Sequence, residues 1–342
     1  MRTTEPRLGV VYEHPVWFAP LFEELDRRRV PFDRVDVSAH AFDLDIAGTP
    51  WTLALNRMSP SAHLRGHAAA IAHAREYLRY LGACGVDVVN GADAFALETS
   101  KVAQMLLLRR LALPFPRTRV VNDVRLAPDA ARGLRFPVVL KPHIGGSGAG
   151  IQRYETPEAL RRALDDGVLD LGIDRTALVQ EFLPARGGHI VRVEVLGGRF
   201  LYAIKVYPNP DGFNLCPADI CRPGEETAAA GDLCPADLPK VALRVEGYTP
   251  PAPVIGAVLA VARAARLDLA GVEYLVNDRD GEVYYYDINA LSNFVADAQA
   301  VIGFNPYVAL VDYLALRGGF KVPVPAGPSR RVKEAPGRGA DT

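Results

Sequence analysis

The stretch that decides the fold is Phe136–Ile151, FPVVLKPHIGGSGAGI. It starts as an apolar strand, places Lys141 at the end of that strand, and continues into a loop with glycines at 145, 146, 148 and 150. Glycine lets backbone N–H groups approach phosphate oxygens closely, and a lysine adds a positive charge on a flexible stem. The segment therefore predicts a loop that binds nucleotide phosphates.

A flexible hairpin turn is the structural alternative for a glycine-rich loop taken alone. The segment lacks the GxxxxGK[ST] order of a P-loop, and no βα turn near the N-terminus carries GxGxxG. The sequence therefore supports neither a P-loop nucleoside triphosphatase nor a dinucleotide-binding domain.

Size and composition predict two or three compact globular units, since the chain has 342 residues, 49% of them hydrophobic. The net charge is −1 and no extended basic stripe occurs, which argues against a nucleic-acid partner. No apolar run is typical of a signal peptide or a membrane span, so we expect a cytoplasmic protein without a membrane partner.

The four cysteines, at 84, 216, 221 and 234, fit reduced thiols better than a disulfide framework. A metal cluster on Cys216, Cys221 and Cys234 is the alternative, but CxxC pairs are lacking. The role of these three cysteines is left open.

Hydrophobic periodicity, helix caps and turn signals predict an α/β chain that begins with a βαβ unit. The predicted elements are strand 8–12, helix 19–29, strand 32–37, helix 61–81, strand 85–91, helix 98–111, a helix capped by Thr156, strand 177–183, a hairpin across Gly197-Gly198, helix 254–267 and a hairpin over 270–289.

The last hairpin is rich in oxygen-bearing side chains. A three-residue loop over 279–281 sets Glu273 opposite Asp287, and strand alternation then directs Asn289 to the same face. Two carboxylates and an amide on one face suit Mg²⁺ bound together with substrate phosphates. A solvated polar face at a sheet edge is the alternative, which a two-residue loop would favour.

The order of these features resembles the ATP-grasp superfamily, in particular the ribosomal-protein glutamate ligases and the lysine-biosynthesis ligases. The resemblance runs from about residue 8 to 320 and rests on the order and spacing of six segments. These are ETSK at 98–101, LPFPRT at 113–118, VVLKPHIGGSGAGI at 138–151, VQEFL at 179–183, GVEYLV at 271–276 and DIN at 287–289.

The resemblance implies an α/β (α+β) ATP-grasp fold in which two lobes clamp a nucleotide. Residues 1–95 would form an N-terminal α/β pre-ATP-grasp domain, 96–183 the small lobe with the glycine-rich loop, and 184–322 the C-terminal lobe with the metal hairpin. Residues 323–342 would form a disordered tail.

The resemblance also implies a reaction. Similar enzymes use ATP and Mg²⁺, with Mn²⁺ as the alternative ion, to join a small-molecule or peptide carboxylate to an amine or amino acid through an acyl phosphate, and they release ADP and phosphate. Dimers and tetramers are common among them. The alternatives are a kinase of the same fold that acts on a hydroxyl, and a nucleotide-binding regulatory module without turnover.

Site residues follow from the same resemblance, position by position. The implied nucleotide contacts are Lys101, Lys141, Gly145, Gly146, Ser147, Gly148, Gln180, Glu181, Phe182 and Leu183. The implied metal ligands are Glu273, Asp287 and Asn289. Arg192 and Lys205 resemble catalytic cations, with exposed strand charges as the alternative, and the weaker substrate candidates are Arg57, Ser59, Asn214 and Arg222.

Two departures from the family pattern concern the substrate. Relatives usually carry a glutamate followed by NxxPG, whereas this chain has Asp287 followed by NALSNF, with Ser292 and Asn293 in place of proline and glycine. His189, where an acid is common, and the unusual segment at 211–221 also indicate a different acceptor. The shorter acid leaves the number of metal ions open.

Overall fold

A computed structural model describes residues 6–46, 48–146, 148–208 and 243–322. Several predicted features lie outside these ranges, namely Ser147, Asn214, Arg222, the cysteines at 216, 221 and 234, the whole segment at 211–221 and the tail at 323–342.

The described residues form three sheets. Their strands are β1 Leu8–Tyr12, β2 Phe32–Asp36, β3 Leu53–Arg57, β4 Asp87–Val89, β5 Thr118–Val121, β6 Val138–Pro142, β7 Gln152–Tyr154, β8 Ala177–Glu181, β9 Ile190–Leu196, β10 Arg199–Tyr207, β11 Arg244–Tyr248, β12 Leu269–Val276 and β13 Val283–Asn289. The α-helices are α1 Ala19–Arg27, α2 Ala68–Ala83, α3 Ala92–Glu98, α4 Lys101–Arg110, α5 Ala127–Ala130, α6 Pro157–Asp165, α7 Ala252–Ala264, α8 Ala298–Val301 and α9 Pro306–Gly318.

The first sheet is parallel, with strand order β2-β1-β3-β4. Leu8 and Val10 of β1 pack in a core cluster with residues of α1 and α9, whereas Val11 packs in a cluster with α2. This alternation is expected of a strand covered on both faces. The predicted βαβ start is confirmed, and β3 is an addition that the sequence reasoning missed.

The predicted helix over 61–81 is wrong in its first part. Residues Ala62–Arg65 form a 3₁₀ turn, Gly66 adopts a φ of 82°, and α2 starts at Ala68. A left-handed glycine breaks the helical path, which is why the apolar pattern did not yield one continuous helix.

The predicted helix over 98–111 starts later than expected, since α4 runs from Lys101 to Arg110. α3 ends at Glu98, and the side chain of Ser100 accepts a hydrogen bond from the Ala103 N–H at 3.0 Å. A serine in this position caps a new helix, so Lys101 becomes the first residue of α4.

The second sheet is antiparallel, with strand order β5-β8-β6-β7. The glycine-rich loop connects β6 to β7, and Lys141 lies in β6 directly before it. The predicted cap at Thr156 is confirmed, since its side chain accepts from the Ala159 N–H at 3.2 Å.

The third sheet is antiparallel, with strand order β11-β10-β9-β12-β13. Gly197 and Gly198 connect β9 to β10 with φ values of 57° and 73°, so the predicted two-residue hairpin is confirmed. A β-carbon on Gly197 would lie 2.8 Å from the Tyr313 ring, which leaves no room for a side chain there.

The hairpin of β12 and β13 has the predicted pairing but not the predicted loop. Val276 pairs with Val283, and the Asn277 N–H donates to the Glu282 carbonyl at 2.9 Å, so the loop has four residues rather than three. That register alone would set Glu273 opposite Tyr286. A β-bulge inserts Tyr286 and restores the pairing of Glu273 with Asp287.

Helix α4 packs on the third sheet. Met105 and Leu108 belong to the same core cluster as Val272 of β12 and Ile288 of β13. The predicted domain boundary at 95/96 stays a prediction, and this contact shows which sheet α4 supports.

No helix among the described residues is both long and apolar enough to cross a bilayer.

Asn90 ties the first sheet to the third. It is buried with a φ of 54°, its Nδ2 donates to the carbonyls of Leu269 at 2.6 Å and Ala290 at 2.7 Å, and its Oδ1 accepts from the Asp268 N–H at 2.9 Å. Asparagine tolerates the left-handed region better than most residues.

We therefore expect Asn90→Ala to lower the free energy of unfolding by about 3 kcal/mol, because buried backbone groups lose their partners and alanine is strained at this φ. Denaturant unfolding measures the change. Asn305→Ala is the control, because it removes an exposed helix cap and should cost only about 1 kcal/mol. Equal losses for the two variants would contradict the role of Asn90.

Candidate functional site

One cavity lies where the three sheets meet. The lining residues near the first sheet are Trp17, Ser59, Pro60 and Ser61, and those from α3 and α4 are Glu98 and Lys101. The second sheet and its loop contribute Lys141, Pro142, Gly145, Gly146, Gly148, Ala149 and Ile151. The third sheet and the segment after it contribute Arg192, Glu273, Tyr286, Asp287, Asn289, Leu291 and Asn293. Most of the predicted phosphate and metal residues therefore line one space.

Two buried lysines share one carboxylate in this cavity. Lys101 at the start of α4 donates to Oδ1 of Asp287 in β13, and the Nζ of Lys141 in β6 lies 3.4 Å from the same oxygen. Three separate elements thus meet at a single oxygen atom. Cations buried this closely require a counter-charge, which Asp287 supplies.

The ionic state of the three groups follows from their burial and their mutual charges. Burial alone would raise the pKa of Asp287, but the ammonium groups of Lys101 and Lys141 outweigh it and hold that pKa well below its usual range. Burial, helped by the charge of Lys101, lowers the pKa of Lys141. The pKa of Lys101 is raised, because Asp287 and Glu98 outweigh the effect of burial.

A second buried ion pair lies beside the first. Arg192 in β9 pairs across the sheet with Glu273, and its Nη1 donates to Glu273 Oε1 at 2.9 Å. Its Nε donates to Glu194 at 2.6 Å and its Nη2 to the Ser292 hydroxyl at 2.9 Å. Burial and the neighbouring Asp287 raise the pKa of Glu273 in spite of Arg192.

The residues fit a magnesium ion that is shared with phosphate. Nδ2 of Asn289 donates to the Gly271 carbonyl at 3.4 Å, which leaves Oδ1 of its amide for another partner. With Glu273 and Asp287 this makes an all-oxygen donor set with two carboxylates, as Mg²⁺ prefers. Among the described residues no group of three or more His, Cys, Asp or Glu side chains is arranged to hold a metal, and Mg²⁺ in proteins usually keeps several waters and shares substrate phosphates.

The glycine-rich loop approaches the first sheet's wall of the cavity. Gly148 and Gly150 have φ values of 73° and 72°, which favour glycine. A β-carbon on Gly146 would lie 3.5 Å from the β-carbon of Ser61, and one on Gly150 would lie 2.9 Å from Cγ of Pro142. The loop therefore depends on its glycines both for its turn and for its close packing.

The four residues of the predicted hinge, 180–183, do not line this cavity. Gln180 donates to the Thr118 hydroxyl at 2.8 Å, and Glu181 accepts from the Arg135 N–H at 2.8 Å. The Arg153 guanidinium lies 4.0 Å from the Phe182 ring centroid, and Leu183 is buried in a core cluster. Their role as nucleotide contacts stays a prediction.

Lys205 is not brought to the cavity. It pairs with Val191 on β9 and with Glu246 on β11, so strand alternation places it on the face opposite Arg192. Its ammonium lies 4.7 Å from the Tyr248 ring centroid. Its role as a catalytic cation stays a prediction, with an exposed strand charge as the alternative.

The two weaker candidates of the first sheet differ in position. Ser59 lines the cavity, and its hydroxyl lies 2.8 Å from that of Ser61. Arg57 lies beneath the cavity wall, where its Nη2 donates to the Ser292 carbonyl at 2.7 Å and to Asn293 Oδ1 at 3.2 Å. Burial lowers the pKa of Arg57 to about 10.

Sequence reasoning missed three residues of the site. Glu98 is buried beside Lys101 and accepts a hydrogen bond from the Ala290 N–H. Gln104, one turn after Lys101, is fully buried against β13, and Tyr286 enters the cavity as the extra residue of the bulge. Glu98 belongs to the ETSK segment and could have been found there, whereas a bulge leaves no signal in the sequence.

Comparisons with known proteins address the fold. No family model matches the sequence. A protein of Teredinibacter turnerae described as a probable alpha-L-glutamate ligase is 33% identical over 122 residues, which is 35% of this chain and 40% of that protein. The chain thus spans about two fifths of that curated relative.

Two solved structures match nearly the whole chain. The ATP-grasp ligase PsnB, complexed with a phosphomimetic variant of its minimal precursor, Mg and ADP, matches with a TM-score of 0.61 at 17% identity, over 91% of this chain and 98% of that one. D-alanine–D-alanine ligase from Bacillus anthracis complexed with ATP matches with a TM-score of 0.61 at 16% identity, over 92% of this chain and 97% of that one. The predicted α/β ATP-grasp fold is confirmed.

The ion cluster predicts how stability depends on pH. Because the pKa of Asp287 is lower in the folded state than in the unfolded state, its carboxylate stabilises the fold above the unfolded value of about 4, and this stabilisation is lost as the pH falls toward the folded value. We expect the melting temperature of Asp287→Asn to lie below that of the wild type by a constant amount between about pH 5 and 8, and by less between about pH 4 and 2.

Asp123→Asn is the matched control for this pH series. Asp123 also has a lowered pKa, of about 2, but its partner Arg125 is exposed, so the pair should contribute little to stability. A melting-temperature difference for Asp287→Asn that does not change with pH would contradict the ionised cluster.

Proposed function

We propose that this chain of ATP-grasp fold is an ATP- and Mg²⁺-dependent ligase, which joins a carboxylate to an amine and releases ADP and phosphate. The observation that supports this best is the convergence of Lys101, Lys141 and Asp287 beside a glycine-rich loop. The arrangement supplies cations for phosphate oxygens and a carboxylate for a metal within one cavity.

The cluster suits an exchange of partners when the nucleotide binds. Phosphate oxygens would take over the ammonium groups of Lys101 and Lys141, which at present neutralise Asp287. Asp287, Glu273 and Asn289 would then hold Mg²⁺. The ion, when bound, would supply positive charge to the phosphate oxygens and to the leaving ADP.

Phosphoryl transfer needs orientation and charge neutralisation more than a protein nucleophile. A carboxylate oxygen of the substrate attacks the γ-phosphorus and the bond to the bridging oxygen of ADP breaks. The amine nitrogen then attacks the acyl carbon, phosphate leaves, and the nitrogen loses a proton. Of the two predicted catalytic cations, only Arg192 lies at the cavity, where three hydrogen bonds fix its guanidinium.

The names of similar proteins support a proposal for the substrate class. The relative of Teredinibacter turnerae is named for glutamate, the PsnB structure holds a precursor, and the Bacillus anthracis enzyme is named for D-alanine. We therefore place an amino acid or a peptide on both sides of the new bond. The lack of a nucleic-acid partner and assembly into a homo-oligomer stay predictions.

We expect ADP and phosphate to form only when a carboxylate substrate is supplied with Mg·ATP. Amino-acid and peptide pools are incubated with the protein, ADP is measured by a coupled assay, and products are identified by mass spectrometry. Hydroxylamine replaces the amine in a parallel series, because an acyl phosphate is trapped by it as a hydroxamate. ADP that forms with a hydroxyl acceptor and without hydroxamate would favour a kinase, and nucleotide binding without any ADP formation would favour a regulatory module.

We expect Lys141→Met to lower turnover by at least about 100-fold, because a cation that stabilises the transferring phosphate is lost while the stem still packs. The rate of ADP formation measures the loss, and circular dichroism checks that the fold is kept. Lys321→Met is the control, since Lys321 follows α9, is exposed and does not line the cavity. Retained activity in Lys141→Met would remove Lys141 from the phosphate site.

A further inference from the structure

The strand that carries Asp287 and Asn289 lies at an edge of its sheet. Within the described part of the chain β13 pairs with β12 alone, so the backbone groups on its outer side need partners from elsewhere. Helix α4 covers this side, and a buried N–H or C=O without a partner costs free energy. The outer edge of β13 is therefore a place where side chains must replace a neighbouring strand.

Gln104 of α4 supplies this replacement at Ile288. Its Nε2 donates to the Ile288 carbonyl at 2.8 Å, and its Oε1 accepts from the Ile288 N–H at 3.2 Å. A carboxamide presents a donor group and an acceptor group in one plane, as a peptide group does, and its second N–H is donated to the Leu97 carbonyl at 3.2 Å. Gln104 is fully buried, so water does not substitute for these bonds.

The contact lies directly after the bulge that sets the site. The Tyr285 N–H donates outward to the Pro114 carbonyl at 2.9 Å, and the next outward pair of groups belongs to Ile288. Outward groups in a regular strand recur every second residue, whereas these are three apart, because Tyr286 is inserted. Pro114 and Gln104 therefore hold the strand on either side of the extra residue.

A slip of this register would change the chemistry of the cavity. If the bulge were lost, β13 would shift by one residue after Tyr285 and its side chains would exchange faces. Asp287 and Asn289, which flank Ile288, would then turn away from Glu273 and from Lys101. The position of the metal ligands thus depends on what holds Ile288.

We propose that Gln104 is a positioning residue, whose carboxamide locks the bulged register of β13 and so keeps Asp287 and Asn289 directed at the cavity. The inference rests on the proposed function for the role of these two ligands. Glu98 and Asn90 hold Ala290 further along the chain, but neither contacts Ile288 among the described contacts. Gln104 is the side chain that holds the backbone between the two ligands.

The test compares Gln104→Met with Leu108→Ala. Methionine keeps the volume of glutamine and removes both hydrogen bonds to Ile288, together with the one that Nε2 donates to the Leu97 carbonyl. Leu108 lies one turn later on α4 and is fully buried in the core of the third sheet, so its truncation destabilises the same helix without touching Ile288. Gln104→Glu is a third variant, which keeps the acceptor for the Ile288 N–H and loses the donor.

Three readouts are used, and two of them do not depend on turnover. Hydrogen exchange of the peptide that contains Ile288 is followed in the metal-free protein. Mn²⁺ binding in the presence of ADP is measured by electron paramagnetic resonance, and the Mg²⁺ concentration for half-maximal ADP formation is measured by titration.

For Gln104→Met we expect faster exchange at Ile288 and metal binding about 10- to 100-fold weaker than in the wild type, as is usual when an outer-shell partner is removed. For Gln104→Glu, the exchange rate at Ile288 and the metal affinity should lie between those of Gln104→Met and the wild type. Leu108→Ala should lower the melting temperature and leave metal binding within about twofold of the wild type, because its effect is on packing alone.

The proposal is overturned if Gln104→Met and Leu108→Ala show the same metal affinity, or if the wild-type protein binds no Mn²⁺ with ADP. Failure of the proposed function has a different outcome, in which the wild type forms no ADP with any acceptor. In that case the exchange and Mn²⁺ comparisons still decide the role of Gln104.

Discussion

The whole site depends on the neutralisation of buried charge at Asp287. Two ammonium groups from α4 and β6 approach one carboxylate of β13, and none of the three is well exposed. Removing Asp287 would leave two ammonium groups without their shared carboxylate in a region of low dielectric, which is among the most costly changes a protein interior can undergo. The elements that carry these residues are therefore held together by electrostatics as well as by packing, and the same charges are available to a triphosphate.

The first sheet is part of the site rather than a separate attachment. Ser59 and Ser61 form a wall of the cavity, and the glycine-rich loop approaches Ser61 at Gly146. Beneath that wall Arg57 donates a hydrogen bond to the carbonyl of Ser292, which follows the hairpin of β12 and β13. A molecule bound between these walls would contact residues of the first and third sheets together.

Local signals in the sequence were sufficient for most of the fold. The glycine pair at 197–198, the cap at Thr156 and the apolar strand before Lys141 each act over a few residues, and each is found where it was predicted. The failures needed information that is not local. The bulge at Tyr286 depends on contacts made across the chain, so the residues of β13 alone do not reveal it. The pairing of Glu273 with Asp287 was predicted from a loop of the wrong length, and the bulge made up the difference of one residue.

The departures from the family pattern after Asp287 are linked to two arginines. Where relatives carry proline, the Ser292 hydroxyl accepts a hydrogen bond from Arg192, and where they carry glycine, Asn293 Oδ1 accepts one from Arg57. Neither proline nor glycine has a side chain that accepts a hydrogen bond, so a chain with that pattern would have to satisfy these guanidinium groups in another way. Asn293 also lines the cavity. The two residues thus anchor the arginines and shape this wall of the cavity, and under the proposed function this wall is where the enzyme would differ from its relatives in the acid or amine it accepts.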